Sequence, residues 1–154
     1  MNKIFDRSQL TPYGVDYARW CEEQGALLRA GRLDVLDREH LAEEIESLGR
    51  SDRREIESRL KSLLMHLLKW EHQPEKRTPS WRTSIVEQRR QMAKVVKESP
   101  SLRNYDRSVL AEEYEYARAE AAEETGLAIE RFPETCPYSL DQIRRLDFYP
   151  GTSS

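Results

Sequence analysis

Apolar residues recur along most of this chain at intervals of three and four, the spacing of helices that each bury one face. From Thr11-Pro12, an N-cap followed by proline at the first helical position, the pattern runs to Gly31, where a left-handed glycine is expected to stop it. Tyr13, Tyr17, Trp20, Cys21, Gln24, Leu27 and Leu28 share one face of this first segment. Asp34 opens a second segment that Gly49 closes, with Leu41, Ile45 and Leu48 as a narrow stripe. Asp52-Arg-Arg-Glu55 has the form of a capping box, in which the aspartate accepts from an orphan backbone N–H and the glutamate reaches back. The third segment, with Ile56, Leu60, Leu63, Leu64, Leu67 and Leu68, is the most apolar in the chain and is expected to be the central helix.

Residues 72–80 contain two prolines and no periodicity, so they read as a loop. Thr78-Pro79 starts a fourth helix carrying Trp81, Ile85, Met92, Val95 and Val96 on one side. Ser99-Pro100 ends it and caps a fifth, which passes Leu102, Tyr105, Val109 and Tyr116 and stops at Gly126. Beyond it Phe132-Pro133 and Cys136-Pro137-Tyr138 read as extended or turn-like, and Ser139-Leu-Asp-Gln142 offers a capping box for a short last helix. No stretch alternates with period two for long enough to predict a strand. The pattern predicts an all-α fold: a single-domain helical bundle of about five principal helices, with an extended C-terminal tail and a short last helix. The core is expected over about residues 11–149, with loose ends at 1–10 and 150–154.

Composition narrows the class. The 154 residues are 38% hydrophobic and 34% charged, and no uncharged apolar run approaches the roughly 20 residues of a membrane span. Three tryptophans and seven tyrosines at helical spacing argue against disorder. The formal net charge of −3 names no partner, but the charges are segregated: residues 34–58 carry −5, residues 59–97 carry +7 and residues 98–134 carry −6. A basic segment between two acidic ones is expected to neutralise itself within the bundle. Cys21 and Cys136 stand far apart in no metal-binding pattern. With no apolar leader after Met1, reduced thiols and a cytoplasmic location are expected.

Several motifs occur in a recognisable order: Leu41-Ala-Glu-Glu-Ile-Glu-Ser-Leu-Gly49 with Ser51-Asp-Arg-Arg-Glu55, then His66-Leu-Leu-Lys-Trp70 and Ser80-Trp-Arg82. Ser99-Pro-Ser-Leu102 and Phe132-Pro-Glu-Thr-Cys-Pro-Tyr138 follow. Together, over about Tyr13 to Tyr149, they resemble a bacterial family catalogued as the twenty-ninth domain of unknown function. The resemblance implies a helical fold. It brings no established activity, cofactor or site residue.

No nucleophile elbow, phosphate-binding loop, dinucleotide fingerprint or HExxH helix is present. Three constellations remain. Asp37 and His40, three residues apart, edge the expected stripe with Glu44, and His66 on the next helix is a further ligand candidate for a metal. A carboxylate-bridged bundle site wants two acid-x-x-His pairs, and only this one exists. In the fifth helix Glu113, Glu120 and Glu124 fall inside the expected apolar stripe, where an unpaired charge is costly. Arg82 and Arg89 on the fourth helix predict a ladder of ion pairs, Arg89 with Glu113 and Arg82 with Glu120. Finally Lys69, Trp70, Lys76, Arg77, Trp81 and Arg82 interleave cations with aromatics, the combination that single-strand binders use. The alternative is that both tryptophans plug the core where the chain turns.

The leading functional reading is a small non-enzymatic cytoplasmic module acting through protein contacts, with a partner protein or by self-association, and needing no cofactor. An enzyme using a buried carboxylate or a metal comes second. Single-stranded nucleic-acid binding through the 69–97 segment comes third.

Overall fold

A computed structural model describes residues 7–151; of the loose ends expected at 1–10 and 150–154, residues 1–6 and 152–154 lie outside the described residues. The described residues form five α-helices and four short 3₁₀ turns, with no strand. The helices are α1 (Tyr17–Arg29), α2 (Arg38–His72), α3 (Pro79–Glu98), α4 (Tyr105–Thr125) and α5 (Leu140–Arg144). The chain divides into two compact units, Met1–Gly49 and Arg50–Ser154.

Two of the expected helices are one. Gly49 does not stop a helix, and α2 runs 35 residues through it. A glycine stop uses the left-handed backbone, and the positive-φ glycines are Gly14, Gly31, Gly126 and Gly151, not Gly49. A helical glycine costs only about 1 kcal/mol relative to alanine, and no proline follows to break the ladder. Asp52 is therefore interior to α2. Its carboxylate accepts from the Ser99 hydroxyl at 2.8 Å instead of capping a new helix.

The first helix starts later than Thr11. Residues 12–15 make a turn through Gly14 at φ +90, and Asp16 caps α1 by accepting from the Arg19 N–H. Thr11 instead donates its N–H and hydroxyl to Glu23, at 2.7 and 2.8 Å, pinning the turn to α1. Asp34 does not open α2, which starts at Arg38 with the Asp37 carboxylate accepting from the His40 N–H. Four other signals act where the spacing places them. Gly31 and Gly126, both at φ +72, follow α1 and α4; Thr78 caps α3; and Ser139 with Gln142 forms a complete capping box on α5. α4 begins at Tyr105, after a 3₁₀ turn over Pro100–Leu102.

The Arg50–Ser154 unit is built on the apolar run of α2. Leu60, Leu63, Leu64, Leu67 and Leu68 are wholly buried, with Ile85 and Met92 of α3, Tyr114, Ala117 and Ala121 of α4, and Phe132, Tyr138 and Ile143 beyond α4. Each buried leucine is worth about 1.5–3 kcal/mol of transfer free energy. The α4 face differs from the expected one. Taking 100° per residue, Tyr114, Ala117 and Ala121 centre it about 120° from the stripe through Val109 and Tyr116. Tyr116 is exposed. Alanines that let the helix sit close count more for burial than a large side chain on the wrong face.

Candidate functional site

The Met1–Gly49 unit has a small core, Trp20, Leu27 and Leu36 with the Gln24 amide, and is held mainly by polar contacts. α1 supplies aromatics from its one face, and the start of α2 supplies acid and imidazole from successive turns. Asp37, just before α2, accepts from the His40 ring Nδ1 at 2.8 Å and from the Trp20 indole N–H at 3.1 Å, while its own backbone N–H donates to Gln24 at 2.9 Å. The Tyr13 ring stacks on His40 with centroids 4.0 Å apart, and its hydroxyl donates to Glu44 at 2.5 Å. Tyr17 donates to the other Glu44 oxygen at 2.8 Å. Burial works to raise the Asp37 pKa, but the bonds from His40 and Trp20 outweigh it and the net shift is downward. Glu44 is lowered by its two tyrosines, which are themselves raised.

Of the four metal candidates, Asp37 and His40 are thus directly bonded and Glu44 joins them through Tyr13. His66 instead uses Nδ1 on the Ser62 carbonyl, at 2.8 Å. No three histidine, cysteine, aspartate or glutamate side chains converge to hold an ion among the described residues. Both oxygens of Glu44 already receive phenolic hydrogens, and both tyrosine hydroxyls are held protonated. The arrangement matches donors to acceptors and fixes the first two turns of α2 against α1. Tyr13, Tyr17 and Trp20 read in the sequence as part of an apolar face; their polar tips, bonded to Asp37 and Glu44, are the signal that points to this cluster.

The same part of α2 carries the Leu41, Ile45 and Leu48 stripe, of which Leu41 is half-buried and the other two are uncovered. Ile45 is 66% and Leu48 71% exposed, and the exposed Tyr17 reaches this stretch through its bond to Glu44. Glu39, Glu43 and Glu46 are exposed around it.

The Arg–Glu ladder does not form. Arg89 donates to the Ile143 and Gln142 carbonyls, and Arg82 lies over the Trp70 and Tyr149 rings at 5.6 and 4.8 Å. The acids of α4 are matched from α2: Glu120 by Lys61 at 2.9 Å and Glu124 by Lys69 at 2.7 Å. Glu113 is buried, and its pKa is raised by that burial and by the charges of Glu57 and Glu112. Long cationic side chains from the neighbouring leucine-rich helix reach this face before arginines of α3 do.

The basic and aromatic segment is turned on itself. Trp70 is 6% exposed, with Arg77 over its ring at 4.8 Å and Tyr149 against it at 5.0 Å. The Arg77 Nε donates to the Trp70 carbonyl at 2.8 Å. Lys69 lies 4.7 Å from the centre of the half-buried Trp81 ring. Lys76 sits in the 3₁₀ turn Pro74–Lys76. The Trp70 ring is therefore closed to a stacking base, and most of the cations are spent on aromatic faces and acids of the same unit.

This all-helical architecture, with its motifs in order, belongs to a family defined by sequence rather than by activity. The family described as domain of unknown function DUF29 matches residues 13–149, and the chain belongs to it. No curated protein and no solved structure matches the chain. Among the described residues no helix is long and apolar enough to cross a membrane, and Cys21 and Cys136 are free thiols.

Proposed function

We propose that this DUF29 chain is a cytoplasmic helical module that acts through protein contacts, and that its docking surface is the uncovered stripe of α2. The observation that carries this reading is the exposure of Ile45 and Leu48 on a regular helix whose phase aligns them with Leu41. Burying two such side chains supplies about 1.5–3 kcal/mol each. The occupant that fits is a basic amphipathic helix of another protein: residues 34–49 hold six acids and one arginine, so a second copy laid on the same stretch sets like charges against like.

A photo-crosslinking residue at position 48 of the full chain, expressed in its native cells, tests this. Cross-links are expected in a lysine- or arginine-rich helical segment of a different protein, and Ile45→Asp should abolish them when the cross-linker sits at position 42. The purified protein should be a monomer by light scattering. Cross-links to a second copy, or an Ile45→Asp variant that still captures the same segment, overturn the reading.

A further inference from the structure

One buried cation in the Arg50–Ser154 unit has no carboxylate bonded to it among the described residues. Arg89 of α3 is 3% exposed. Its Nε donates to the Ile143 carbonyl at 2.8 Å and its Nη2 to the Gln142 carbonyl at 3.2 Å, while the buried Nη1 has no hydrogen-bond partner among the described residues. The acid whose charge acts on it, Asp147, is exposed and paired with Arg145 at 3.3 Å. Burial lowers the Arg89 pKa, yet a guanidinium does not surrender its proton in a protein. Its guanidinium carbon also lies 5.8 Å from the centre of the Tyr149 ring, whose interaction, like the charge of Asp147, favours the cation. A buried cation held by an aromatic face and neutral carbonyls, with no anion bonded to it, is an arrangement that an anion improves.

Arg89 lines a cavity of about 340 Å³ whose apolar walls include Leu63, Met92, Val96 and Ile143. Arg103, Arg144 and Asp106 complete its charged side. Two of these charges cancel, because Arg144 grips both Asp106 oxygens, Nε at 2.7 Å and Nη2 at 2.6 Å. Arg103 is exposed and makes no ion pair among the described residues. What remains is a mainly apolar cavity with two guanidiniums that no carboxylate pairs among the described residues, at the lower end of the roughly 300–1,000 Å³ usual for small-molecule sites.

We propose that this cavity binds a small amphiphilic monocarboxylate, its hydrocarbon body against the apolar walls and its head group neutralising Arg89 and Arg103. A single negative charge suits the donors left over, since two of the three Arg89 nitrogens are committed to carbonyls. A phosphate dianion wants more donors than these walls supply. The site lies within the Arg50–Ser154 unit and stands independently of the docking stripe on the other unit.

Titration calorimetry with decanoate on the full chain tests it, with decanol and inorganic phosphate as the uncharged and the dianionic probes. Decanoate is expected to bind one to one and raise Tm. Decanol should bind about ten-fold or more weakly, the equivalent of one lost charge-assisted contact, and phosphate should not compete. Arg103→Gln, at an exposed position, should weaken decanoate several-fold. Ala93→Trp, at an exposed residue lining the cavity, should abolish binding while leaving the circular dichroism spectrum unchanged. Equal affinity for decanol, undiminished binding to folded Ala93→Trp, or absence of saturable decanoate binding overturns the proposal. So does tighter competition by a peptide ending in a free leucine carboxylate, which would assign the cavity to a chain terminus.

Discussion

Removing the Arg144 guanidinium strands a carboxylate that has little water of its own. The Asp106 side chain is 8% exposed and takes two charged bonds from Arg144, which is itself 40% exposed. In Arg144→Ala it keeps one donor, the Arg107 backbone N–H at 2.9 Å. The Arg103 carbonyl loses its 3.1 Å bond from Nη2 as well. Breaking a fully buried pair from one side costs about 3–5 kcal/mol, and an exposed pair is worth about 0–1 kcal/mol. With one partner buried and the other screened by water, Arg144→Ala is expected to lose about 2 kcal/mol. Asp106→Asn keeps an acceptor oxygen and should lose about 1 kcal/mol, the worth of the charge assistance. The double variant should lose less than the sum, because both singles break one interaction. Urea denaturation read by far-ultraviolet circular dichroism, with the m-value checked for constancy, gives all three numbers. A loss under about 0.5 kcal/mol for Arg144→Ala, the range of ordinary surface changes, or strict additivity, refutes the view that this pair tethers α5 to α4.

Leu64→Ala should destabilise by about 2–5 kcal/mol, whereas Leu48→Ala should stay within about 0.5 kcal/mol by the same denaturation assay. Glu113 has a raised folded pKa, so the stability linked to its protonated form is present in acid and lost as pH rises through that value; Glu113→Gln is expected to raise Tm at neutral pH and to leave it unchanged in acid. Glu23, lowered first by the Thr11 N–H, behaves oppositely, together with Asp37 and Glu44. Their contribution is whole above the ordinary carboxylate values and is lost as pH falls through the lowered ones, so the surroundings of Trp20 should loosen only in acid below the ordinary carboxylate range, and Tyr13→Phe should shrink that change in tryptophan fluorescence. Cys21 is exposed while burial raises the half-buried Cys136 thiol, so a disulfide reagent should label Cys21 in the native protein and Cys136 only on unfolding.

What the sequence makes legible is what neighbours decide. Thr78 and Ser139 cap because the N–H they satisfy lies three residues on, and Gly126 stops α4 because nothing else in that turn tolerates the left-handed backbone as easily. Gly49 shows the limit: a glycine permits a stop without requiring one. The α4 face could not be phased from large residues alone, since the alanines at 117 and 121 carry the close packing. In the candidate site the Asp37–His40 bond is a local, i to i+3 feature and is visible in the sequence. The Tyr13 and Tyr17 bonds to Glu44 span 31 and 27 residues and depend on how two helices meet. Arg89 was assigned a carboxylate because charge pairs are the obvious partners for arginine. Its actual partners, the carbonyls left open at the C-terminal end of the five-residue α5, leave no trace in residue type.

Those carbonyls have a consequence for how the molecule opens. Between Gly126 and Pro150 the one α-helix is α5, of five residues, and the segment has little of its own to nucleate order. Side chains of the long helices hold it instead: Arg118 takes the Ile129 and Phe132 carbonyls, Tyr114 that of Pro133, and Arg89 those of Gln142 and Ile143. Each clasp exists only after α3 and α4 are in place, so this strap is the last part to settle and the first to lift in native-state fluctuations. Ile143 and Arg144 also wall the cavity. Lifting the strap therefore removes one wall of the cavity, so a ligand seated against that wall would hold the strap down, and slow amide exchange at Ile143 and Arg145 would report the gain.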